Sequence, residues 1–287
     1  MTKFPESEVP PMAQLSFEVF PPKKDDEFEA VHEVLNKMST LNPAFISVTY
    51  GAGGSRSKKT VDIASYIQNT LKIPALAHMT CVGSRKEALL DVCRQLEAAN
   101  VTKLLALRGD RPKDMTDEQF ADRDFAHASD MIAFLKANTK MEIAAACYPE
   151  KHPESFSLEA DLRYLKLKQD SGADFLITQM FFDNDDFYAF REKAEKKGIT
   201  LPIHVGIMPI TAAKQLGTTV SLSGSSVPKA LSDLIANYGH DPESMHQAGV
   251  DYCIRQIQDL QQAGVDGIHL YSMNKPKTTA EIVAAIR

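Results

Sequence analysis

The 287-residue sequence predicts an α/β fold, a single-domain (β/α)8 TIM barrel, from three observations. Eight short apolar or β-branched runs recur along the chain, and stretches with helical periodicity separate them. The composition does not change abruptly at any point, so it indicates no domain boundary. Polar residues follow the ends of seven of the eight runs, which is where the active sites of such barrels lie.

The predicted strands are short runs that are rich in apolar and β-branched residues. They are LSFEVF (15–20), FISVTY (45–50), ALAHMTC (75–81), KLLALRG (103–109), EIAAACY (142–148), DFLITQM (174–180), PIHVGIM (202–208) and DGIHLYS (266–272).

Amphipathic helices are predicted between these strands. Phe28, Val31 and Leu35 have the i, i+3, i+7 spacing of one helix face, and segments 84–100 and 241–264 follow the same pattern. Several of these helices are followed by glycine just before the next strand, which is typical of a helix end. A barrel of eight strand–helix units over residues 14–287 follows, with residues 1–13 as a loose, proline-rich arm.

The composition is that of a soluble globular protein, with 44% apolar and 24% charged residues. The net charge of −6 argues against nucleic acid or an anionic membrane as the main partner. The N-terminus lacks the apolar segment of a signal peptide, and no run is long enough to span a membrane. We therefore expect a cytoplasmic protein that binds small molecules.

The cysteines are scattered without a CxxC pair, which predicts reduced, structural thiols. His78 and Cys81 lie three residues apart on a predicted strand, so their side chains point to opposite faces. We therefore predict no metal site. The four cysteines are Cys81, Cys93, Cys147 and Cys253.

A doubly wound dinucleotide-binding fold is the alternative, and VTYGAGGS (48–55) is its best support because glycines directly follow a strand. However, Arg56 stands where the third glycine of a GxGxxG motif would be. The next strand, ALAHMTC (75–81), also ends without the acidic residue that would hold a ribose. The strand count and this incomplete motif favour the barrel.

Glu18 lies in the middle of an apolar strand that stops at two prolines. Leu15, Phe17 and Val19 share one face and suit the helix layer, so the alternation sends Glu18 into the barrel near its mouth. Burial there favours a neutral carboxyl, as a general acid near neutral pH requires. A structural ion pair with an internal arginine or lysine explains Glu18 equally well from the residues alone.

The other strand ends supply further polar groups. In LALRGDRP (105–112), Arg108 and Asp110 flank a glycine, where they either meet a ligand or form a local salt bridge. CYPEKHPES (147–155) holds Tyr148 and His152 in a proline-stiffened loop. The helix that follows has a polar face, which either meets water or contacts a ligand at the mouth; its members are Asp161, Tyr164 and Lys168.

Taken together, the motifs resemble the methylenetetrahydrofolate reductase family in its bacterial form, which is the catalytic barrel alone. Each segment is weakly specific, but they occur in the family's order from residue 16 to residue 275. The matching segments are SFEVFPP, FISVTYGA, AHMTC, LALRGD, YPEKHPE, ITQMFFD, GIMPI and HLYSMNK.

The resemblance implies a barrel that binds FAD at the C-terminal ends of its strands and reduces 5,10-methylenetetrahydrofolate to 5-methyltetrahydrofolate for methionine synthesis. It implies that Glu18 is the general acid that protonates N10 of the folate, and that reduced flavin is the source of hydride for the exocyclic methylene. Asp110 would stabilise the resulting cation beside the flavin. Gln179 would contact both the folate and the nicotinamide, and Gln215 and Lys275 would meet the folate tail.

For FAD, the resemblance implies contacts from most of the strand ends and from the helix after the fifth strand. These residues are Thr49, Tyr50, Ala52, His78, Arg108, Gly109, Asp110, His127, Ala128, Tyr148, His152, Asp161 and Lys168.

Some positions depart from the family pattern. Lys275 stands where an arginine is usual, so it keeps the charge but loses the bidentate fork. His127 stands where tyrosine is common, Leu167 replaces a basic residue, and the helix after GIMPI lacks an aromatic residue that stacks on nicotinamide or folate in some relatives.

The sequence leaves the electron donor open among NADH, NADPH and reduced ferredoxin. A homo-oligomer is expected from the resemblance, and an iron–sulfur partner subunit stays open without any residue that indicates it. Two other functions also stay open: a proline-dehydrogenase-like barrel that uses FAD on another substrate, and a flavin-carrying electron-transfer subunit, which does not need Glu18.

Overall fold

The computed structural model describes residues 13–22, 28–50, 54–112 and 115–287. Within these residues, eight parallel strands form a closed barrel, and their order in the barrel is their order in the chain. This confirms the predicted (β/α)8 barrel. The strands are β1 (Gln14–Val19), β2 (Phe45–Val48), β3 (Ala75–Thr80), β4 (Lys103–Leu107), β5 (Glu142–Cys147), β6 (Phe175–Thr178), β7 (Ile203–Ile207) and β8 (Gly267–Tyr271).

Helices surround the barrel, with a short extra helix before β5 and two extra helices before β8. Helix α2 continues into a π-helical turn, Tyr66–Thr70. The helices are α1 (Phe28–Ser39), α2 (Gly54–Ser65), α3 (Lys86–Ala98), α4 (Asp117–Ala121), α5 (Ala128–Asn138), α6 (Leu158–Asp170), α7 (Asn184–Lys196), α8 (Ala213–Ser223), α9 (Lys229–Tyr238), α10 (Pro242–Gln262) and α11 (Pro276–Ile286).

Strand β1 shows how the alternation of the sequence sets the two layers of the core. Phe17 and Val19 are fully buried in the apolar layer between strands and helices. Ser16 points the other way, into the barrel, where its hydroxyl lies 2.8 Å from Nδ1 of His269. Glu18 shares the face of Ser16, so the alternation directs it to the barrel interior, as predicted.

Aromatic side chains fill the lower part of the barrel interior. The His204 ring lies 5.3 Å from that of Phe45 and 5.4 Å from that of Phe175, measured between ring centroids. Gly267 on the neighbouring strand makes room for His204, because a Cβ atom there would lie 2.3 Å from its Nδ1. The barrel is therefore a packed core below its mouth.

The described residues also bear on the predictions about cysteines, membrane-spanning segments, metal sites and the N-terminal arm. The four cysteines are unpaired and buried. No described helix is long and apolar enough to cross a membrane. No group of three or more metal-ligating side chains occurs in the described part of the chain. The predicted N-terminal arm falls almost entirely outside the described residues.

Candidate active site

Glu18 and His78 face each other at the mouth of the barrel. Oε2 of Glu18 lies 3.5 Å from Nε2 of His78, and the two side chains are 19% and 6% exposed. Burial raises the pKa of Glu18 to about 8 and lowers that of His78 to about 3, because it disfavours the charged form of each. Near pH 7 a protonated carboxyl therefore lies beside a neutral imidazole.

The alternative role of Glu18, a structural ion pair, is not supported by its surroundings. Among the described residues, no lysine or arginine forms an ion pair with its carboxyl group. A carboxyl that has no such cationic partner and retains its proton in a partly desolvated mouth is suited to act as a general acid.

The Tyr271 side chain crosses the mouth next to Glu18, its register partner on β1. Its hydroxyl donates a 2.7 Å hydrogen bond to the carbonyl of Thr178 on β6. Gly206 makes this crossing feasible, because a Cβ atom there would lie 2.3 Å from the Thr178 carbonyl oxygen and 2.7 Å from the Tyr271 hydroxyl. Burial raises the pKa of Tyr271 well above its usual value, and the nearby charge of Glu18 adds to this effect.

The loop after β8 fixes the backbone of Glu18. The Ser272 hydroxyl donates a 2.5 Å hydrogen bond to the Glu18 carbonyl. The Asn274 side chain accepts a hydrogen bond from the Phe20 N–H at 3.2 Å and donates one to the Phe20 carbonyl at 3.0 Å. The end of β1 is thus held on both sides of its last residue, which orients the carboxyl.

The end of β4 places a cation beside the loop after β5. Gly109 has a φ of +82°, and a Cβ atom there would lie 2.9 Å from Cβ of Thr80. The Arg108 guanidinium donates to Glu154 at 2.6 and 2.7 Å. The predicted alternative, a local salt bridge between Arg108 and Asp110, is therefore wrong, because the turn at Gly109 lets Arg108 reach Glu154 while Asp110 stays exposed.

The loop after β5 is held by polar contacts at its centre. The backbone N–H of His152 donates to Asp161 on α6 at 2.9 Å, and Nδ1 of His152 accepts from the N–H of Glu154 at 3.1 Å. The His152 ring meets that of Tyr148 edge to face, with a centroid distance of 4.8 Å. Burial lowers the pKa of His152, and the positive charge of Arg108 lowers it further.

Lys168 lies on the same side of α6 as Asp161. Its Nζ donates a 2.7 Å hydrogen bond to the carbonyl of Ala146 and lies 5.9 Å from the centre of the Tyr148 ring. Burial lowers the pKa of Lys168. Tyr164, the third residue of the predicted polar face, is 43% exposed to solvent and does not share the burial of Lys168.

The remaining predicted cofactor contacts lie around the rim. His127 is exposed at the start of α5, and its ring lies 4.9 Å from that of Tyr164. Ala128, which follows it, is buried. Thr49 and Tyr50 are half-buried at the end of β2, where the Thr49 carbonyl accepts from the Thr60 hydroxyl at 3.0 Å. Ala52 lies outside the described residues.

The predicted folate contacts form two groups. Gln215 donates to the Pro209 carbonyl at 2.8 Å, and its Oε1 accepts from the Thr211 N–H at 3.2 Å. Nζ of Lys275 lies 3.5 Å from the Thr211 hydroxyl, so Thr211 joins Gln215 and Lys275. Gln179 is half-buried at the end of β6, where its backbone N–H donates to the Cys147 carbonyl at 2.7 Å.

A family model described as methylenetetrahydrofolate reductase matches residues 8–287, nearly the whole sequence. The chain belongs to the methylenetetrahydrofolate reductase family. It is 32% identical to the 5,10-methylenetetrahydrofolate reductase of Pectobacterium carotovorum subsp. carotovorum, over 93% of this chain and 88% of the relative. The chain is an enzyme of this type.

Two further comparisons set the limits of the similarity. The maize protein named methylenetetrahydrofolate reductase (NADH) 1 is 32% identical over 93% of this chain but only 47% of its own length. An uncharacterised Clostridium thermocellum protein, solved with two copies of 5-methyl-5,6,7,8-tetrahydrofolic acid, has a TM-score of 0.67, 15% identity and coverage of 96% of this chain and 94% of its own. At that identity it shows the shared fold alone.

Sequence reasoning from the motifs of this family missed two contributors to the site. Glu154 is the partner of Arg108, although YPEKHPE was among the segments that carried the resemblance. Gly206 gives Tyr271 its path across the mouth, and its only sequence signal is a glycine inside a strand.

A second concavity lies outside the mouth. A surface cavity of about 980 Å³ separates α7, α9 and α10, and its lining includes Phe182, Tyr252 and Asp259. None of the residues predicted for the site lines this cavity. Glu18, whose pKa is raised, and the half-buried cations Arg108 and Lys168 lie at the barrel mouth, which is therefore the candidate active site of this family member.

Proposed function

We propose that this chain reduces 5,10-methylenetetrahydrofolate to 5-methyltetrahydrofolate in the barrel mouth, with FAD as cofactor and NADH or NADPH as reductant. The observation that carries this proposal is the position of the Glu18 carboxyl, 19% exposed at the barrel mouth and 3.5 Å from Nε2 of His78, where burial raises its pKa to about 8. The family membership supports the choice of substrate.

The residues around the mouth fit FAD. Arg108 and Lys168 supply cations for an anionic group, and Gly109 lets the backbone approach closely. When bound and reduced, the flavin would supply hydride for the exocyclic methylene of the folate.

Glu18 carries the acid step. Its carboxyl gives a proton to N10 of the folate, the bond between N10 and the methylene carbon breaks, and a 5-iminium cation remains. Glu18 is then a carboxylate in the mouth. Asp110, exposed at the end of β4, contributes a negative charge that favours the cation.

Other residues orient the two substrates, which take turns in one site. Gln179 has an amide at the end of β6 with which to bind the folate and the nicotinamide. Gln215 and Lys275 meet the folate tail. The name of the maize relative includes NADH, which supports NADH as donor here without excluding NADPH.

Glu18→Gln tests this function through its two half-reactions. In anaerobic stopped-flow experiments, we expect NAD(P)H to reduce the flavin of the variant at the normal rate. Methylenetetrahydrofolate should fail to reoxidise it, because glutamine cannot protonate N10. Glu97→Gln, which removes an exposed carboxyl on α3, is the matched control and should leave both half-reactions unchanged.

The same experiment separates the alternative functions. If folate reoxidises the Glu18→Gln flavin at the wild-type rate, the acid assignment is wrong. If a purified protein reconstituted with FAD is reoxidised by other substrates but never by folate, the chain uses another substrate. A preparation that cannot bind FAD would overturn the flavin proposal.

We also propose that the protein is a cytoplasmic homo-oligomer. Light scattering would test the oligomeric state, and cell fractionation would test the location.

A further inference from the structure

The His78 side chain is buried yet lacks a hydrogen bond at one ring nitrogen. It is 6% exposed, and its Nε2 has no hydrogen-bond partner among the described residues. Buried polar atoms in folded proteins are almost always satisfied, so each exception calls for a functional explanation. The polar group opposite Nε2 is the Glu18 carboxyl, at 3.5 Å.

The distance of 3.5 Å between His78 Nε2 and Glu18 Oε2 is slightly longer than a hydrogen bond. An N–H donor and a carboxylate oxygen normally lie 2.7–3.2 Å apart. Ser272 holds the Glu18 carbonyl and Asn274 holds the backbone of Phe20, so the gap would close by a small rotation of the Glu18 or His78 side chain. The present arrangement suits a protonated carboxyl, which does not need a donor from His78.

Among the described residues, the ring nitrogen that lies opposite the Glu18 carboxyl is Nε2 of His78. From β8, Tyr271 lies next to Glu18, but its hydroxyl already donates to the Thr178 carbonyl. Tyr148 lies further round the mouth at the end of β5, and Asp110 at the end of β4 has only acceptor oxygens when ionised. Tyr50 ends β2.

We propose that His78 is a positioning residue for Glu18, whose carboxylate accepts a hydrogen bond from the His78 Nε2–H once the carboxyl has given its proton to the substrate. This inference rests on the proposed acid role of Glu18. His78 neither gains nor loses a proton in this step; its neutral ring stabilises the conjugate base of the acid. The role is separate from the contact with FAD that the family resemblance assigns to His78.

The consequence is a measurable shift in the acidity of Glu18. Burial lowers the pKa of His78 to about 3, so its ring is neutral over the pH range in which Glu18 titrates. His78 therefore acts as a hydrogen-bond donor and not as a cation. A donor that favours the carboxylate lowers the pKa of Glu18 below the value that burial alone would give. Removing that donor should raise the pKa of Glu18 by about 0.5 to 1 pH unit.

The test is a carbon-13 NMR titration of the full chain as purified, with labelled glutamate carboxyl groups. The Glu18 signal is assigned by its loss in Glu18→Gln. His78→Met removes the donor at similar length, and His78→Leu is a second donor-free variant should His78→Met fail to fold. His78→Gln keeps an N–H near the position of Nε2. His204→Leu, which removes an equally buried histidine from the lower barrel, is the matched control.

We expect the donor-free variants to raise the Glu18 pKa, His78→Gln to restore at least half of the shift, and His204→Leu to leave it unchanged. An unchanged pKa in the donor-free variants would overturn the proposal, as would equal shifts in His78→Gln and His78→Met or in His204→Leu. This readout needs no turnover. If Glu18→Gln retains folate turnover, the acid role itself fails, whatever the titration shows.

Discussion

The Arg108 guanidinium donates two hydrogen bonds to the Glu154 carboxylate, at 2.6 and 2.7 Å, and so ties the end of β4 to the loop after β5. Arg108 is mostly buried, with 22% of its side chain exposed, whereas Glu154 is 62% exposed. The pair raises the pKa of Arg108 and lowers that of Glu154. The Arg108 guanidinium, which we propose as a cation for FAD, is therefore already paired with a carboxylate from the loop after β5.

Glu154→Gln should tighten FAD binding, because the anionic pyrophosphate would no longer compete with Glu154 for Arg108. We expect the dissociation constant to fall about twofold to fivefold at low salt, the size of a partly exposed ion pair. Added salt should shrink the difference, since it screens exposed charges. Quenching of FAD fluorescence on titration with the apoprotein measures both effects.

Two controls isolate the contribution of Arg108. Glu192→Gln removes an exposed carboxylate of the α7 pair with Lys196 and should leave FAD binding unchanged. In an Arg108→Gln background, the effect of Glu154→Gln should disappear, because the two residues act through one contact. Weaker FAD binding by Glu154→Gln would mean instead that Glu154 holds Arg108 in its binding position.

Glu18→Gln should change how stability depends on pH. The pKa of Glu18 is raised from 4.5 to about 8, so the folded state holds a proton that the unfolded state has released between these values. The wild type therefore loses stability as pH rises through this window, by at most about 1.4 kcal/mol per pH unit. Glutamine does not titrate, so the free energy of unfolding of the variant should rise relative to that of the wild type from pH 5 to pH 8.

Urea unfolding at several pH values measures this difference. The buried histidines titrate in both proteins, so their contributions cancel in the comparison. Glu97→Gln, which removes an exposed carboxyl on α3, should show a difference from wild type that stays flat over the same window. A flat difference for Glu18→Gln would show that Glu18 ionises normally in the fold.

Lys275→Arg should lower the KM for methylenetetrahydrofolate without changing kcat. Lys275 is exposed at the start of α11, with Nζ 3.5 Å from the Thr211 hydroxyl, and we propose that it meets the carboxylates of the folate tail. An arginine fork binds a carboxylate through two hydrogen bonds where lysine offers a point charge. Lys275→Gln should raise the KM about twofold to fivefold, the cost of an exposed charge contact.

Steady-state kinetics at saturating NAD(P)H measure the KM of each Lys275 variant. Lys277→Gln, which removes another exposed lysine from α11, is the matched control and should leave the KM unchanged. Equal effects of Lys275→Gln and Lys277→Gln would show that the KM depends on the total positive charge near the start of α11 and not on a specific contact of Lys275.

The fold was predictable because each strand carries its own local signal. In β1, alternation alone separates Phe17 and Val19 in the outer layer from Ser16 in the interior, and the structure confirms this separation. Helix α10 begins after Asp241, whose side chain caps it, at the start of the predicted segment. Such signals involve neighbours in sequence, so a single chain displays them.

The contacts across the mouth were not predictable from the residues, because they join distant parts of the chain. Arg108 lies two residues from Asp110 but pairs with Glu154, since the left-handed turn at Gly109 redirects the chain. The raised pKa of Glu18 depends on burial by other strands, which alternation alone does not quantify. The ordered family resemblance, by contrast, predicted the enzyme class that the comparisons show.

Gly206→Ala and Gly217→Ala should have opposite effects on stability. A Cβ atom at Gly206 would lie 2.3 Å from the Thr178 carbonyl oxygen and 2.7 Å from the Tyr271 hydroxyl, so Tyr271 would have to leave its place beside Glu18. We expect a loss of about 2–4 kcal/mol. A Cβ atom at Gly217 in α8 meets nothing within 4 Å, so alanine should stabilise by about 0.5–1 kcal/mol. Urea unfolding compares the two, and an equal effect of both substitutions would show that the mouth adapts to the added methyl group.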